Sequence, residues 1–220
     1  MKIGIVGDLS QGDPALLAKA FDAALAASDV VVQVGDVNPG YGVVRDRLAS
    51  GKLFVIPGNH DTLGPGNWDA ELPGQEKQWA KEFPGVYLIG LDNSKDDFDD
   101  EAYRLLAGIP RAFTGAVGVF FHKSLTRLVL PDGSESSHVM GEGGDIPSPA
   151  AEKMIAMLEE RTSSYYDFIG CGHYHGQSII STSYGTVILE GRGGAAGPSN
   201  VGYTLLIVTP DGWVAHPVTL

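Results

Sequence analysis

Leu53-Phe54-Val55-Ile56-Pro57-Gly58-Asn59-His60-Asp61 joins a short apolar run to an amide, an imidazole and a carboxylate in direct succession. Leu53 to Ile56 has the length and bulk of a buried strand. The polar residues beyond Gly58 are ill suited to extend that strand, but at its end they can all face one cleft. Asn59 offers a neutral oxygen to a hard cation, and His60 can move a proton near neutral pH.

The same arrangement recurs along the chain. Lys2 to Val6 runs into Gly7-Asp8, Val30 to Val34 into Gly35-Asp36, Ala116 to Phe121 into His122, and Phe168 to Cys171 into Gly172-His173-Tyr174-His175. In open α/β sheets, ligands bind in the crevice beyond the carboxyl ends of the strands. Of the six histidines, four (His60, His122, His173 and His175) fall at such ends, whereas His138 and His216 do not.

Helical segments separate these strands. Asp13, as N-cap, and Pro14, at the first helical position, open an Ala/Leu-rich helix that runs to Ala27. Shorter helices are expected over 43–49 and 99–106, another over 150–161 behind Ser148-Pro149, and a further strand over 86–91. From 178 onward the pattern is strand only, at 178–183, 186–190, 203–208 and 213–218. Alternating βα units followed by a β-only tail predict an α/β fold: a two-sheet β-sandwich flanked by helices. Residues 126–148, rich in Gly, Ser and Pro, are expected to form an insertion loop overhanging the cleft of a single domain spanning 1–220.

A chain of 220 residues, 43% hydrophobic, can bury one sizeable core. Its net charge of −12 speaks against an extended nucleic-acid or anionic-membrane surface and points to a small-molecule partner. The single Cys171 excludes an internal disulfide. No run reaches the roughly 18 apolar residues needed to span a bilayer, and Met1 to Asp8 enters a strand at once. The expected location is therefore cytoplasmic, without membrane contact.

Aspartate, asparagine and histidine without thiolate suit Mn, Fe, Ni or Zn better than Ca. Two such cations about 3.5–4 Å apart, sharing a carboxylate, are suited to in-line displacement at phosphorus. Asp8, Gly35-Asp36, Gly58-Asn59-His60-Asp61, His122 and Gly172-His173-Tyr174-His175 together resemble the motifs of the calcineurin-like metallophosphoesterase superfamily, in order and approximate spacing, over residues 8–175. Leu91-Asp92-Asn93-Ser94 and Phe121-His122-Lys123-Ser124 resemble its middle segment.

The resemblance implies a double β-sandwich fold and two divalent metal ions, Mn favoured. Asp36 would bridge them, Asp8 and His175 would complete one site, and Asn59, His122 and His173 the other. A bridging hydroxide would attack a small phosphomonoester or phosphodiester, with His60 protonating the leaving oxygen. Asp61 is the nearest residue to hold the His60 ring in its tautomer; a turn residue bonding local backbone is an equal alternative.

Three departures qualify this. The family's first motif is D-x-H, but this chain reads Asp8-Leu9-Ser10, and a serine hydroxyl is a far weaker ligand than imidazole. Gln11 and Asp13 could approach, although Asp13 has a competing role as helix cap. The opening GDLSQ also resembles the GDLGQ of purple acid phosphatases, whose iron-binding tyrosine follows the second-motif aspartate by three residues. Here that place holds Pro39, with Tyr41 two residues further on. The second motif also lacks the GDxxDRG of protein Ser/Thr phosphatases, which argues against a phosphoprotein phosphatase. The alternative to an enzyme is a degenerate scaffold or binding protein with a weakened first metal site. Gly191-Arg192-Gly193-Gly194 reads as a flexible turn rather than a phosphate loop, since no Lys-Ser/Thr follows.

Overall fold

A computed structural model of the chain describes residues 1–9, 12–63, 67–110, 112–136, 139–141, 147–161, 167–193 and 200–220, the side chain of residue 161 excepted. Strands β1 (Lys2–Val6), β2 (Val30–Val34) and β3 (Leu53–Ile56) are nearly continuous apolar runs because both of their faces are covered. They pair in parallel and are extended by two antiparallel strands, β10 (Gly202–Thr209) and β11 (Gly212–Thr219), into a sheet of order β11-β10-β1-β2-β3. The second sheet has the order β4-β5-β6-β7-β9-β8, from β4 (Trp79–Phe83), β5 (Val86–Gly90), β6 (Ala116–Phe121), β7 (Phe168–Cys171), β8 (Gln177–Thr182) and β9 (Gly185–Glu190). Within it β5, β6, β7 and β9 are parallel, and the edge strands β4 and β8 are antiparallel.

Alternation along each strand builds three apolar layers. Ile3, Ile5, Val32, Val34 and Ile56 of the first sheet meet Leu88, Phe120, Phe168 and Ile188 of the second in the central core. On the outer face of the first sheet, Val6, Val31 and Val55 receive α1 (Pro14–Ala27) and α2 (Tyr41–Leu48) through Leu17, Phe21, Ala24 and Val44. On the outer face of the second, Val117, Val119, Phe121 and Ile169 receive α5 (Asp100–Ala107) and α6 (Pro149–Arg161). The chain is thus a two-sheet α/β sandwich with helices outside. Among the described residues, no helix is long and apolar enough to cross a membrane.

The structure differs from the sequence expectation in three places. Strand β4 was not anticipated: it is an edge strand with half-exposed Ala80 and exposed Lys81 and Glu82, and Trp79, whose indole N–H donates to Val55 O at 2.8 Å, anchors it. The short helices α3 (Asn59–Thr62) and α4 (Trp68–Glu71) are single turns without a readable period. The segment 126–148 is more ordered than a simple overhang. Ser124 bridges Val139 and Val129 bridges Glu135, while Leu125, Leu128, Leu130 and Met140 pack into the outer core of the second sheet. Residues 137, 138 (the histidine in this loop) and 142–146 lie outside the described residues.

Candidate metal centre

At the end of β2, the buried Gln33 side chain folds back on the backbone of Gly35, accepting its N–H at 3.0 Å and donating to its carbonyl. The chain then turns sharply through Gly35 (φ 94°) and Asp36 (φ 55°), which drives the fully buried Asp36 carboxylate inward. At the end of β7, His173 likewise takes φ 61°. Positive φ at non-glycine residues costs energy and persists where the surroundings over-determine it. Of the three non-glycine residues at positive φ among the described residues, two, Asp36 and His173, are candidate ligands; the third is Asp96.

Asp36, His122 and His173 come together, one ligand atom from each within 4.8 Å of the others, all buried. The rings of His122 and His173 meet edge to face, 4.9 Å between centroids. His122 Nδ1 donates to Val34 O at 2.8 Å, which leaves Nε2 for the site. That atom lies 2.9 Å from Asn59 Oδ1 and 3.4 Å from Asp36 Oδ2. Two acceptors at that separation sit like adjacent ligands of an octahedral cation, which stand about 3 Å apart for bonds of about 2.1 Å.

Among the described residues, three buried carboxylate oxygens, Asp8 Oδ1, Asp8 Oδ2 and Asp36 Oδ2, find no hydrogen-bond partner of ordinary geometry. Buried carboxylate is costly unless it is paired, protonated or coordinated to a cation. The donors present therefore fit a divalent metal. Burial pushes the Asp8 carboxyl well above its ordinary range, and the Asp36 charge adds to this against the opposing pull of His122. Burial also acts to raise Asp36, but the His122 ring and the backbone N–H of His60 outweigh it and hold that carboxyl low. Burial acts to lower His122; the Asp36 and Asp8 carboxylates outweigh it and push its pKa up to about 9.

His60 sits at the mouth, its side chain 31% exposed and Nε2 3.9 Å from Asp36 Oδ2. Asp61, expected either to orient that ring or to bond local backbone, does the latter. Its oxygens accept from the backbone N–H groups of Val37, Asn38 and Gly58 at 2.9–3.1 Å and from Tyr41 Oη at 2.9 Å. Tyr41 is thereby turned away from a ligand role, and burial beside Asp61 raises its pKa strongly. Asp13 is committed as helix cap, accepting the Ala15 N–H at 2.9 Å.

His175 was placed with His173 on the premise that strand geometry persists. β7 stops at Cys171, and His175 is exposed in the bend that follows. Asp8 approaches from the other side, 3.5 Å from His122 Nδ1. Ser10 and Gln11 lie outside the described residues. Arg192 is buried in a pair with Glu190 (2.7 Å) and makes no open phosphate loop; Gly194 lies outside the described residues. The sequence reading gave no role to Asn93, whose side chain holds the backbone at His122. Its signal, an amide just past a strand end, is too common to read unaided.

The family model for calcineurin-like phosphoesterases matches residues 1–177. No curated protein matches the chain. Among solved structures, the Plasmodium protein GAP50, described as the anchor in the inner membrane complex, superposes with TM-score 0.66 at 15% identity, covering 100% of this chain and 84% of that one. A purple acid phosphatase from yellow lupin seeds gives TM-score 0.64 at 15% identity, over 100% of this chain and 51% of that one. The Thermus thermophilus sulfate thiohydrolase SoxB gives 0.54 at 12% identity, over 99% and 56%. At these identities the likeness is one of fold.

Proposed function

We propose that this chain, which belongs to the calcineurin-like phosphoesterase family, is a metal-dependent hydrolase of a small phosphomonoester or phosphodiester. The observation that carries the reading is the buried convergence of Asp36, His122 and His173 beside carboxylate oxygens that lack hydrogen-bond partners among the described residues. Asp36, Asn59, His122 and His173 would hold one divalent cation, and Asp8, Asp36 and His175 a second, with Mn2+ favoured for this oxygen-and-nitrogen donor set. Bound cations supply Lewis-acid stabilisation of phosphoryl oxygens and a nucleophile at neutral pH.

The chain's own contribution is orientation and proton transfer. Asp36 Oδ1 accepts the His60 N–H at 2.9 Å and so fixes the backbone from which the half-exposed ring reaches the mouth. From there His60 is placed to give a proton to the departing oxygen, as a general acid. The acidic surface favours a small substrate over a polynucleotide.

The test is to load purified protein with Mn2+ and assay p-nitrophenyl phosphate and bis-p-nitrophenyl phosphate beside Asp36→Asn. Turnover abolished by the substitution is expected; activity surviving it would sink the assignment. A second reading, a non-catalytic scaffold, is favoured by the serine at position 10 where the family's first motif has a histidine. Metal analysis separates the two. Two metals per chain, or one with measurable turnover, support the enzyme, and none after reloading supports the scaffold.

A further inference from the structure

The ladder between β5 and β6 ends where His122 begins. Gly90 pairs with Phe120 and the Leu91 N–H donates to Phe120 O at 2.8 Å, after which the β5 chain turns away. The backbone groups of His122 and Lys123 are then left without a neighbouring strand on that side. The side chain of Asn93, fully buried, takes the strand's place. Its Oδ1 accepts the N–H of His122 at 2.9 Å and of Lys123 at 3.1 Å, and its Nδ2 donates to Lys123 O at 2.7 Å. On the other side, the Gly172 N–H donates to His122 O at 3.0 Å. With the ring held by Val34 O, His122 is tied to three separate segments before any ligand arrives.

We propose that Asn93 is a positioning residue for His122, an amide that adds one rung to the second sheet and so sets where the imidazole Nε2 stands in the metal centre. The inference rests on the metal-dependent reading of the site. The chemistry explains the residue type. Serving two N–H groups and one carbonyl needs an acceptor and a donor on one short, rigid plane; aspartate lacks the donor, and serine cannot reach both. The contact with Met140 Sδ at 3.9 Å closes the far side of the amide.

The test measures Mn2+ affinity of the metal-free protein by isothermal titration, together with the His122 Nδ1–H resonance in nitrogen-15-edited NMR spectra. Asn93→Ala is expected to weaken Mn2+ binding about 10–100-fold and to lose the resonance to exchange, whereas Asn93→Asp, which keeps the acceptor but loses the donor to Lys123 O, is expected to fall between Asn93→Ala and the parent. Val119→Ala, which opens the core on the same strand, should lower Tm and change neither readout. An Asn93→Ala protein that keeps both, or a Val119→Ala protein that loses both, overturns the proposal. Should Asn93→Ala fail to fold, Asn93→Asp decides: a loss of about threefold or more in Mn2+ affinity with a changed His122 resonance supports the role, and parent-like values of both remove it. A parent that binds no Mn2+ overturns the metal reading instead, and the His122 resonance then judges Asn93 alone.

Discussion

At Gly35 a Cβ would stand 2.4 Å from His122 Nδ1 and 2.9 Å from Gly58 Cα, on a backbone at φ 94°. A side chain there meets both a strained conformation and the back of a metal-ligand ring. Gly35→Ala is therefore expected to cost more than the roughly 1 kcal/mol of the backbone mismatch alone, and to weaken Mn2+ binding, read by denaturant melts and titration calorimetry. His60 gives a sharper test, because an acid matters in proportion to how poor the leaving group is. His60→Ala should lower kcat on an alkyl phosphate about 100-fold or more, but much less on p-nitrophenyl phosphate, whose phenolate leaves without a proton. Equal losses on both would remove His60 as the acid. These residues could be singled out in the sequence because glycine-then-carboxylate and paired histidines recur together at several strand ends, although each alone has commoner uses. Asp61 was not decidable in sequence, since a carboxylate beside a histidine can face the ring or the backbone, and only the position of Val37, Asn38 and Tyr41 chooses.

Between elements, Asp61 is a buckle joining the turn after β2 to α3. It answers three backbone N–H groups and the Tyr41 hydroxyl, all in a buried site. Asp61→Ala leaves these donors unpaired at about 1–3 kcal/mol each, so a loss of several kcal/mol in urea unfolding is expected. Asp61→Asn keeps one acceptor oxygen and should lose less. The same buckle accounts for the gap between the motif and its mechanism: Asp61 shapes the loop that carries Asn59 and His60. Helices α1, α5 and α6 were readable from caps and apolar period, and their observed bounds fall within a residue of expectation. Strand β4 was missed because an edge strand needs only one buried face, and Lys81-Glu82 breaks the alternation that would reveal it.

Across the molecule, Glu190 and Arg192 fasten the two sheets beside the metal centre. Arg192 pairs with Glu190 at 2.7 Å and reaches Tyr203 O and Thr219 Oγ1, while Thr204 Oγ1 donates to Glu190. Arg192→Ala strands a buried carboxylate and should cost about 3–5 kcal/mol, with Arg192→Met/Glu190→Gln recovering part of it in the same melts. The whole protein should also respond to pH through His122. Its folded pKa of about 9 lies above the ordinary 6.5, so the stability it contributes is full below pH 6.5 and is lost as pH rises through 9. The raised Asp8 carboxyl acts in the same direction. Metal-free Tm is expected to fall across that window, while the Tm gain from saturating Mn2+ widens as proton competition at the ligand fades; a flat metal-free profile would contradict the charge balance derived for the site. The amino-acid sequence by itself determined the two-sheet α/β class and which strand ends carry candidate ligands, because apolar period and polar strand ends are local properties. Only the tertiary structure decided that Asp36, His122 and His173 converge and that Asn93 and Asp61 hold the loops, because each depends on distances between strands of different sheets or turns far apart in the chain.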